Sequence, residues 1–140
     1  MKTRVFTAGV LVHRGRVLVL KRKPDDDTYP GLWDCLGGHF ERGESAEACM
    51  TREAMEESGL SVDLVKTGTL IEYSDSYGRA IAVPFLLRAR SARVVVSEHS
   101  EYRWVPPRSL GRYRKVPALS RALIIFGLSK GPTRPVATGC

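Results

Sequence analysis

The chain has 140 residues, 43% of them hydrophobic and 26% charged, with a formal net charge of +7. That is enough chain for one buried core without staples, and the balance excludes a disordered polymer. No apolar run approaches the roughly 18 residues of a membrane span, while the basic balance suits polyanionic partners such as nucleotides.

Residues 4–13 and 16–21 are β-rich runs separated by Arg14-Gly15, a hairpin connection. Met1 to Val12 superficially imitates a signal peptide. His13 to Arg16 stand where a small-residue cleavage site belongs, so a first strand and a cytoplasmic address are expected. Pro24 to Gly31 is a polar loop crowded with turn formers, and Leu32 to Leu36 a short apolar run ending at Gly37-Gly38. Ser45 is a good N-cap and Glu47 sits in the first turn. No Gly or Pro follows until Gly59, which predicts a helix of about 13 residues. Residues 61–72, 79–90 and 101–105 read as strands, with a turn at Asp75 to Gly78 and a loop at Ser97 to Ser100. Val116 to Leu128 has the spacing of a closing helix, and residues 129–140 read as a loose tail after a single domain, 1–128. Two or three helices around a mixed sheet predict an α/β layered fold. Cys35, Cys49 and Cys140 are odd in number and lack metal or redox spacing. They read as free thiols in a reducing compartment, two packed and one exposed.

The chemistry concentrates between Gly38 and Leu60. At roughly 100° per residue, Glu53, Glu56 and Glu57 share one helical face, with Ala48, Ala54 and Met55 on the other side available to pack on a sheet. Three carboxylates so close repel one another unless a cation sits among them, and hard oxygen donors suit Mg²⁺ or Mn²⁺. Arg52, one turn before Glu56, is placed to orient or partly neutralise the acids; it and Lys66 are too few for a salt-bridge lattice. Glu44 is placed to fold back towards the same cation, and Gly37-Gly38 permits close approach of a backbone carbonyl.

This stretch resembles the Nudix box: Gly, five residues, Glu, seven residues, Arg-Glu, an aliphatic, any residue, Glu-Glu, any residue, Gly, an aliphatic. Gly38, Glu44, Arg52, Glu53, Glu56, Glu57, Gly59 and Leu60 meet its fixed positions. Seven fixed letters at about 6% usage each coincide by chance about once in 10⁸ starts, so the spacing carries the identification. Leu32-Trp33-Asp34 and the later Glu98 to Pro106 also look like the family's segments. Leu36, where many members have proline, and Ala54, at a site more often Leu, Val or Ile, are mild departures.

The resemblance implies a Nudix α/β/α sandwich in which Glu53, Glu56, Glu57, Glu98 and the Gly38 carbonyl hold one to three Mg²⁺ or Mn²⁺ ions. Glu53 and Glu98, then Glu101, are the candidates to take the proton of the attacking water, with Arg52 supporting them. Arg22, Lys23, Gly37 and His39 are candidate substrate contacts, while Glu44 and Gly59 belong to the box's structure. Trp33, Phe40 and Tyr73 are candidates for base stacking, Trp104 for the core, and His13 and His99 for loops. Arg108, Arg112, Arg114 and Lys115 form a second basic cluster, read as a solvated flank.

The implied activity is cleavage of a pyrophosphate linkage in a nucleoside diphosphate derivative, first a nucleoside triphosphate. ADP-ribose, sugar nucleotides, dinucleoside polyphosphates and a 5′-triphosphorylated RNA end are alternatives. The isoprenoid diphosphate isomerase branch and a non-catalytic nucleotide sensor are set against an intact box. A homodimer is compatible with the resemblance; no membrane partner is expected.

Overall fold

The computed structural model describes residues 2–130, so the expected tail beyond Lys130, with Cys140, lies outside the described residues. Strands β1 (Thr3–His13) and β2 (Arg16–Arg22) form the expected hairpin. Arg14 and Gly15 both take positive φ, 50° and 75°, the two-residue connection whose twist matches the strands. Next come β3 (Trp33–Asp34), α1 (Ala46–Ser58), β4 (Val62–Thr67), β5 (Ile71–Asp75), β6 (Gly78–Ala89) and β7 (His99–Val105). A 3₁₀ helix (Pro107–Arg112) and α2 (Pro117–Ile125) end the described fold.

One seven-stranded mixed sheet runs β3-β2-β1-β6-β4, with β5 also paired to β6 and β7 to β2. β1 lies parallel to β6 along Thr3↔Arg79 to Val12↔Arg88. On its other edge β6 pairs antiparallel with β5 and β4. The expected single strand 61–72 divides into β4 and β5 because they pair with successive lengths of β6 around Pro84. That proline has no N–H for the ladder and only accepts, from Gly68 N at 2.9 Å. β7 starts at His99, inside the expected loop, and the 3₁₀ helix was not foreseen.

Alternation sends side chains to two cores. Val17 and Val19 join Ala8, Val10, Leu119, Ala122 and Leu123 under α2. Leu18 and Leu20 join Leu11, Leu36, Met50, Ala54, Phe85 and Leu87 under α1. A strand covered on both faces reads as a continuous apolar run, which is what RVLVLK shows. The layers are therefore α/β/α, as expected. Among the described residues no helix is long and apolar enough to cross a membrane.

β1 and β2 pair only near their hairpin, at Val12↔Val17 and His13↔Arg16. Into the fork beyond comes the segment 36–39, which bridges β1 at Gly9↔Leu36 and Phe6↔His39. Gly37 and Gly38, the first glycine of the box and the one before it, thus sit in the sheet's opening.

Helix α1 has the predicted length and caps: Ser45 Oγ accepts from Ala48 N at 3.1 Å, and Gly59 closes it at φ 74°. Its docking face differs from expectation. Cys49, Met50, Ala54, Glu57 and Ser58 are buried, whereas Ala48 and Met55 face solvent. The helix is rotated so that Glu57 goes inside, where Gly37 N–H meets it at 2.7 Å. Trp104 is half-buried at the edge of the α1-side core, because its indole N–H reaches the Ala92 carbonyl at 3.0 Å. Replacing Ser45 with Ala removes the N-cap acceptor and is expected to cost about 1 kcal/mol in urea denaturation, with activity per folded molecule retained.

Candidate active site

A cleft of about 390 Å³ opens over the fork between β1 and β2. Glu53, Glu56, Glu57 and Glu98 line it together with Gly37, Gly38 and His39. Thus the structure brings the three helical glutamates and the distant loop acid to one cavity. Lys23 is exposed and is not among the residues that form the cleft wall.

The glycines are needed for close approach. A Cβ on Gly37, whose φ is 143°, would stand 1.9 Å from the Thr7 carbonyl oxygen. A Cβ on Gly38 would stand 2.4 Å from the Glu53 carboxylate. The expectation for the backbone oxygen changes. The Gly38 carbonyl accepts from Thr7 N at 3.0 Å, from Thr7 Oγ1 at 3.4 Å and from Cys49 Sγ at 3.5 Å. It is committed to β1, whereas the Gly37 carbonyl accepts no hydrogen bond among the described residues.

Arg52 organises the acids more fully than the sequence indicates. It grips Glu44 with two hydrogen bonds, Nε to Oε2 at 2.7 Å and Nη2 to Oε1 at 3.0 Å. Its Nη1 donates to Glu53 at 3.1 Å and to Glu56 at 3.0 Å, and its Nη2 to the His39 carbonyl at 3.2 Å. One guanidinium therefore hydrogen-bonds three carboxylates and the loop backbone, and pairs with a fourth, Glu41, at 3.6 Å. Glu44 does not turn towards the cleft. Its hydrogen bonds from Arg52 and from Glu41 N–H draw its pKa down to about 2.

Glu53 and Glu57 shift the other way. Burial raises Glu53 against the pull of Arg52, and Glu56 and Glu98 add to the rise. Burial raises Glu57 well above the ordinary range against the Gly37 N–H bond, with Asp34, Glu53 and Glu98 adding repulsion. Among the described residues, no three His, Cys, Asp or Glu side chains already converge as a cation cage. The donor set nevertheless fits a hard divalent cation: four glutamates around one cavity, with Glu53 against a glycine where a Cβ has no room.

The candidate substrate contacts separate. Arg22 lines the cleft, but its guanidinium donates to Asp34 at 2.7 Å, Asp26 at 2.9 Å and Thr28 Oγ1 at 2.7 Å, and Nε to the Thr28 carbonyl at 2.8 Å. It ties the 24–32 loop to β3 rather than presenting a free cation to phosphate. His39 is exposed at the rim, edge-on to Phe6. Glu101 pairs with Arg103 at 3.1 Å and is not a cleft residue. Trp33 is buried edge-on against Tyr113, and Phe40 stands away from the cleft wall; of the three aromatic candidates only Tyr73 lines it. In the second basic cluster, Lys115 is held by the Leu110 and Tyr113 carbonyls.

Sequence reasoning missed Arg4, Phe6, Tyr29, Asp34 and His99, all in the cleft wall. His99 is 7% exposed, and its Nδ1 is buried without a partner. His13 ends β1 with its Nδ1 2.9 Å from the Ala89 carbonyl. Asp34 and His99 lie in the two family-like segments outside the box, whereas no motif marks Arg4, Phe6 and Tyr29.

The shifts of Glu53 and Glu57 have a measurable sign. In the metal-free fold these acids hold protons that the unfolded chain has already released, so their contribution to stability falls as pH climbs above the ordinary value near 4.5. A divalent cation is expected to offset that loss. The rise in Tm on adding Mg²⁺ or Mn²⁺ should be larger at about pH 8 than at about pH 5.5, and Glu57→Gln should shrink the difference. Equal gains at both pH values would show that these carboxylates do not hold the cation.

The same architecture occurs in known proteins. The nucleoside triphosphatase NudI of Escherichia fergusonii is 26% identical over 140 residues, across 91% of this chain and 99% of that protein. The crystal structure of a MutT Nudix hydrolase from Burkholderia pseudomallei is 25% identical with a TM-score of 0.79, covering 89% of this chain and 98% of that one. A MutT protein from Methanosarcina mazei shares the fold at 24% identity and a TM-score of 0.77, over 90% and 92% of the two chains. The model of the NUDIX domain matches residues 3–124, and with Glu53, Glu56 and Glu57 of the box gathered in one cleft the chain belongs to the Nudix hydrolases and is a pyrophosphohydrolase.

Proposed function

We propose that this enzyme hydrolyses a nucleoside triphosphate to the monophosphate and pyrophosphate, using Mg²⁺ or Mn²⁺. The observation that carries this reading is the two-ended cleft. Four glutamates stand at one end, and an aromatic and apolar recess suited to a base stands at the other. The similar NudI proteins, named nucleoside triphosphatases, support it. The cytoplasm is the compartment assigned in this reading, and no nucleic acid partner is required; a 5′-triphosphorylated RNA end would enter as a variant of the same substrate.

When bound, the divalent cation polarises phosphate oxygens, lowers the pKa of a water and offsets the charge of the leaving group. Glu56, Glu57 and Glu98, with Glu53 and the Gly37 carbonyl, are the oxygen donors that would hold it. Gly37 N–H orients Glu57, and Arg52 orients Glu53 and Glu56. The water oxygen bonds to phosphorus while the bridging P–O bond breaks, and pyrophosphate leaves with the bridging oxygen. Glu53 takes the water's proton, since burial raises its proton affinity and a stronger base accepts more readily. Glu98 is the alternative base.

Mononucleotide and pyrophosphate release should be followed with common and oxidised nucleoside triphosphates, ADP-ribose, a dinucleoside polyphosphate and a triphosphorylated RNA, each with Mg²⁺, Mn²⁺ or EDTA. Triphosphates are expected to turn over fastest, with no turnover in EDTA. Glu53→Gln should lower kcat by about 10²–10⁴-fold in a folded protein, and Glu98→Gln by less. Full activity in Glu53→Gln would move the base to Glu98, and faster cleavage of ADP-ribose would replace the triphosphate reading.

A further inference from the structure

The loop between β2 and β3 carries the most constrained residue of the cleft wall. Tyr29 takes a φ of 47°, in the left-handed region, although it bears a side chain and precedes Pro30. Such a conformation persists only where the surroundings hold it. Three contacts from the β5–β6 hairpin do so. The Tyr29 N–H donates to the Tyr77 hydroxyl at 3.2 Å, its ring stands edge-on to that of Tyr77 at 4.9 Å, and its hydroxyl donates to Asp75 Oδ2.

These contacts reach across the sheet. The loop is closed at its base by Arg22 N–H, which donates to the Leu32 carbonyl at 2.9 Å. β1 and β6 lie between β2 and β5, so Tyr29 is bound to a strand that two others separate from that base. The end of β2, the start of β1 and the β5–β6 turn share one end of the sheet, because β2 runs against β1 and β1 begins opposite Arg79. Along this path the Tyr29 ring becomes cleft wall, with Phe6 and Tyr73, all three partly exposed and open to a ligand. Flat aromatic walls suit a planar ring.

Asp75 is not among the residues of the cleft wall, yet it ties the wall together. Its Oδ1 accepts from Arg4 Nη2 at 2.7 Å and from Tyr77 N–H at 2.8 Å, and its Oδ2 accepts from Tyr29. Burial alone would favour the protonated acid. The bonds from Tyr29, Arg4 and Tyr77 outweigh it and draw the pKa below the ordinary value, so the group is a carboxylate at neutral pH and accepts from all three. A carboxylate that holds one wall of a cleft without lining it acts on a ligand through that wall. We propose that Asp75 is a positioning residue for the substrate's base: it fixes the Tyr29 ring beside the recess, so that contact with the ring lowers KM, and leaves the hydrolytic step to the glutamates. The proposal rests on the nucleotide reading above and names what holds the base-binding wall in place.

A double-mutant cycle on Asp75 and Tyr29 tests it, read as KM and kcat for the triphosphate that wild-type enzyme cleaves fastest. Asp75→Asn removes the charge, and Tyr29→Phe removes only the hydroxyl. Each is expected to raise KM about 3- to 10-fold with kcat little changed, the pattern of lost ground-state binding. Tyr29→Ala should raise KM about 10-fold or more, the range of one stacked ring. Asp75→Asn added to Tyr29→Ala should then change KM no further, because the ring it positions is gone. An Asp75 that served the fold alone would lower Tm and the active fraction, hence apparent kcat, at unchanged KM. That result, or an equal rise in KM with and without the Tyr29 ring, overturns the proposal. Tyr29→Phe leaves Arg4 paired with Asp75, so it tests the clasp even where Asp75→Asn does not fold. Calorimetric binding of the common nucleoside monophosphates to the metal-free protein separates this proposal from the hydrolytic one. Weaker binding in both single variants without cleavage of any triphosphate would retain the positioning role and remove the triphosphatase reading. Cleavage with KM unchanged in Tyr29→Phe would do the reverse, and neither binding nor cleavage would remove both.

Discussion

The insertion of Gly37-Gly38 into the fork between β1 and β2 is the contact on which the site depends. With a Cβ at Gly37 standing 1.9 Å from the Thr7 oxygen, no other residue lets this segment lie against β1. Once it lies there, Gly37 N–H reaches Glu57 from inside the fold, and Gly38 leaves just enough room for the Glu53 carboxylate. The rotation of α1, with Glu57 buried and Met55 outside, follows from the same docking. A loop that elsewhere would be a connection is here the surface that positions the acids.

The second organising element is charge. Carboxylates crowded into a partly buried cavity raise one another's proton affinity, and in this fold Arg52 is the cation that holds Glu44, Glu53 and Glu56 together. Its hold is graded. The two-point grip on Glu44 fixes the guanidinium, while the bonds to Glu53 and Glu56 leave from one nitrogen. Such an arrangement keeps the acids oriented and near one another while leaving oxygens for another partner. Glu57 and Glu98 make no bond with Arg52, so two carboxyl groups of the cleft stand outside its hold.

Away from the acids the cleft changes character. Asp75 gathers Arg4, Tyr29 and Tyr77, and Arg22 gathers Asp34, Asp26 and Thr28, so the 24–32 loop is tied down from both β5 and β3. These anchors hold Tyr29 at a fixed position, at the margin of the α2-side core. The box is common to the family, while the walls come from β1, β5 and a loop. The division gives a shared reaction centre beside a recess that other members can build differently.

The sequence by itself determined the helix and its chemistry. Ser45, Gly59 and the spacing of Glu53, Glu56 and Glu57 act through neighbours one or two turns away, and such local periodicity is readable in the chain. The paired apolar faces of β2 and the hairpin at Arg14-Gly15 were legible for the same reason. Only the tertiary structure decided that Ala48 and Met55 face outward, that the Gly38 carbonyl belongs to Thr7 and that Arg22 is tied inside the loop. It also decided that Arg4, Tyr29, Tyr73 and Asp75 meet, although Arg4 and Asp75 are 71 residues apart. Their meeting depends on the parallel register of β1 with β6 and the antiparallel return of β5, long-range pairings that no local spacing records.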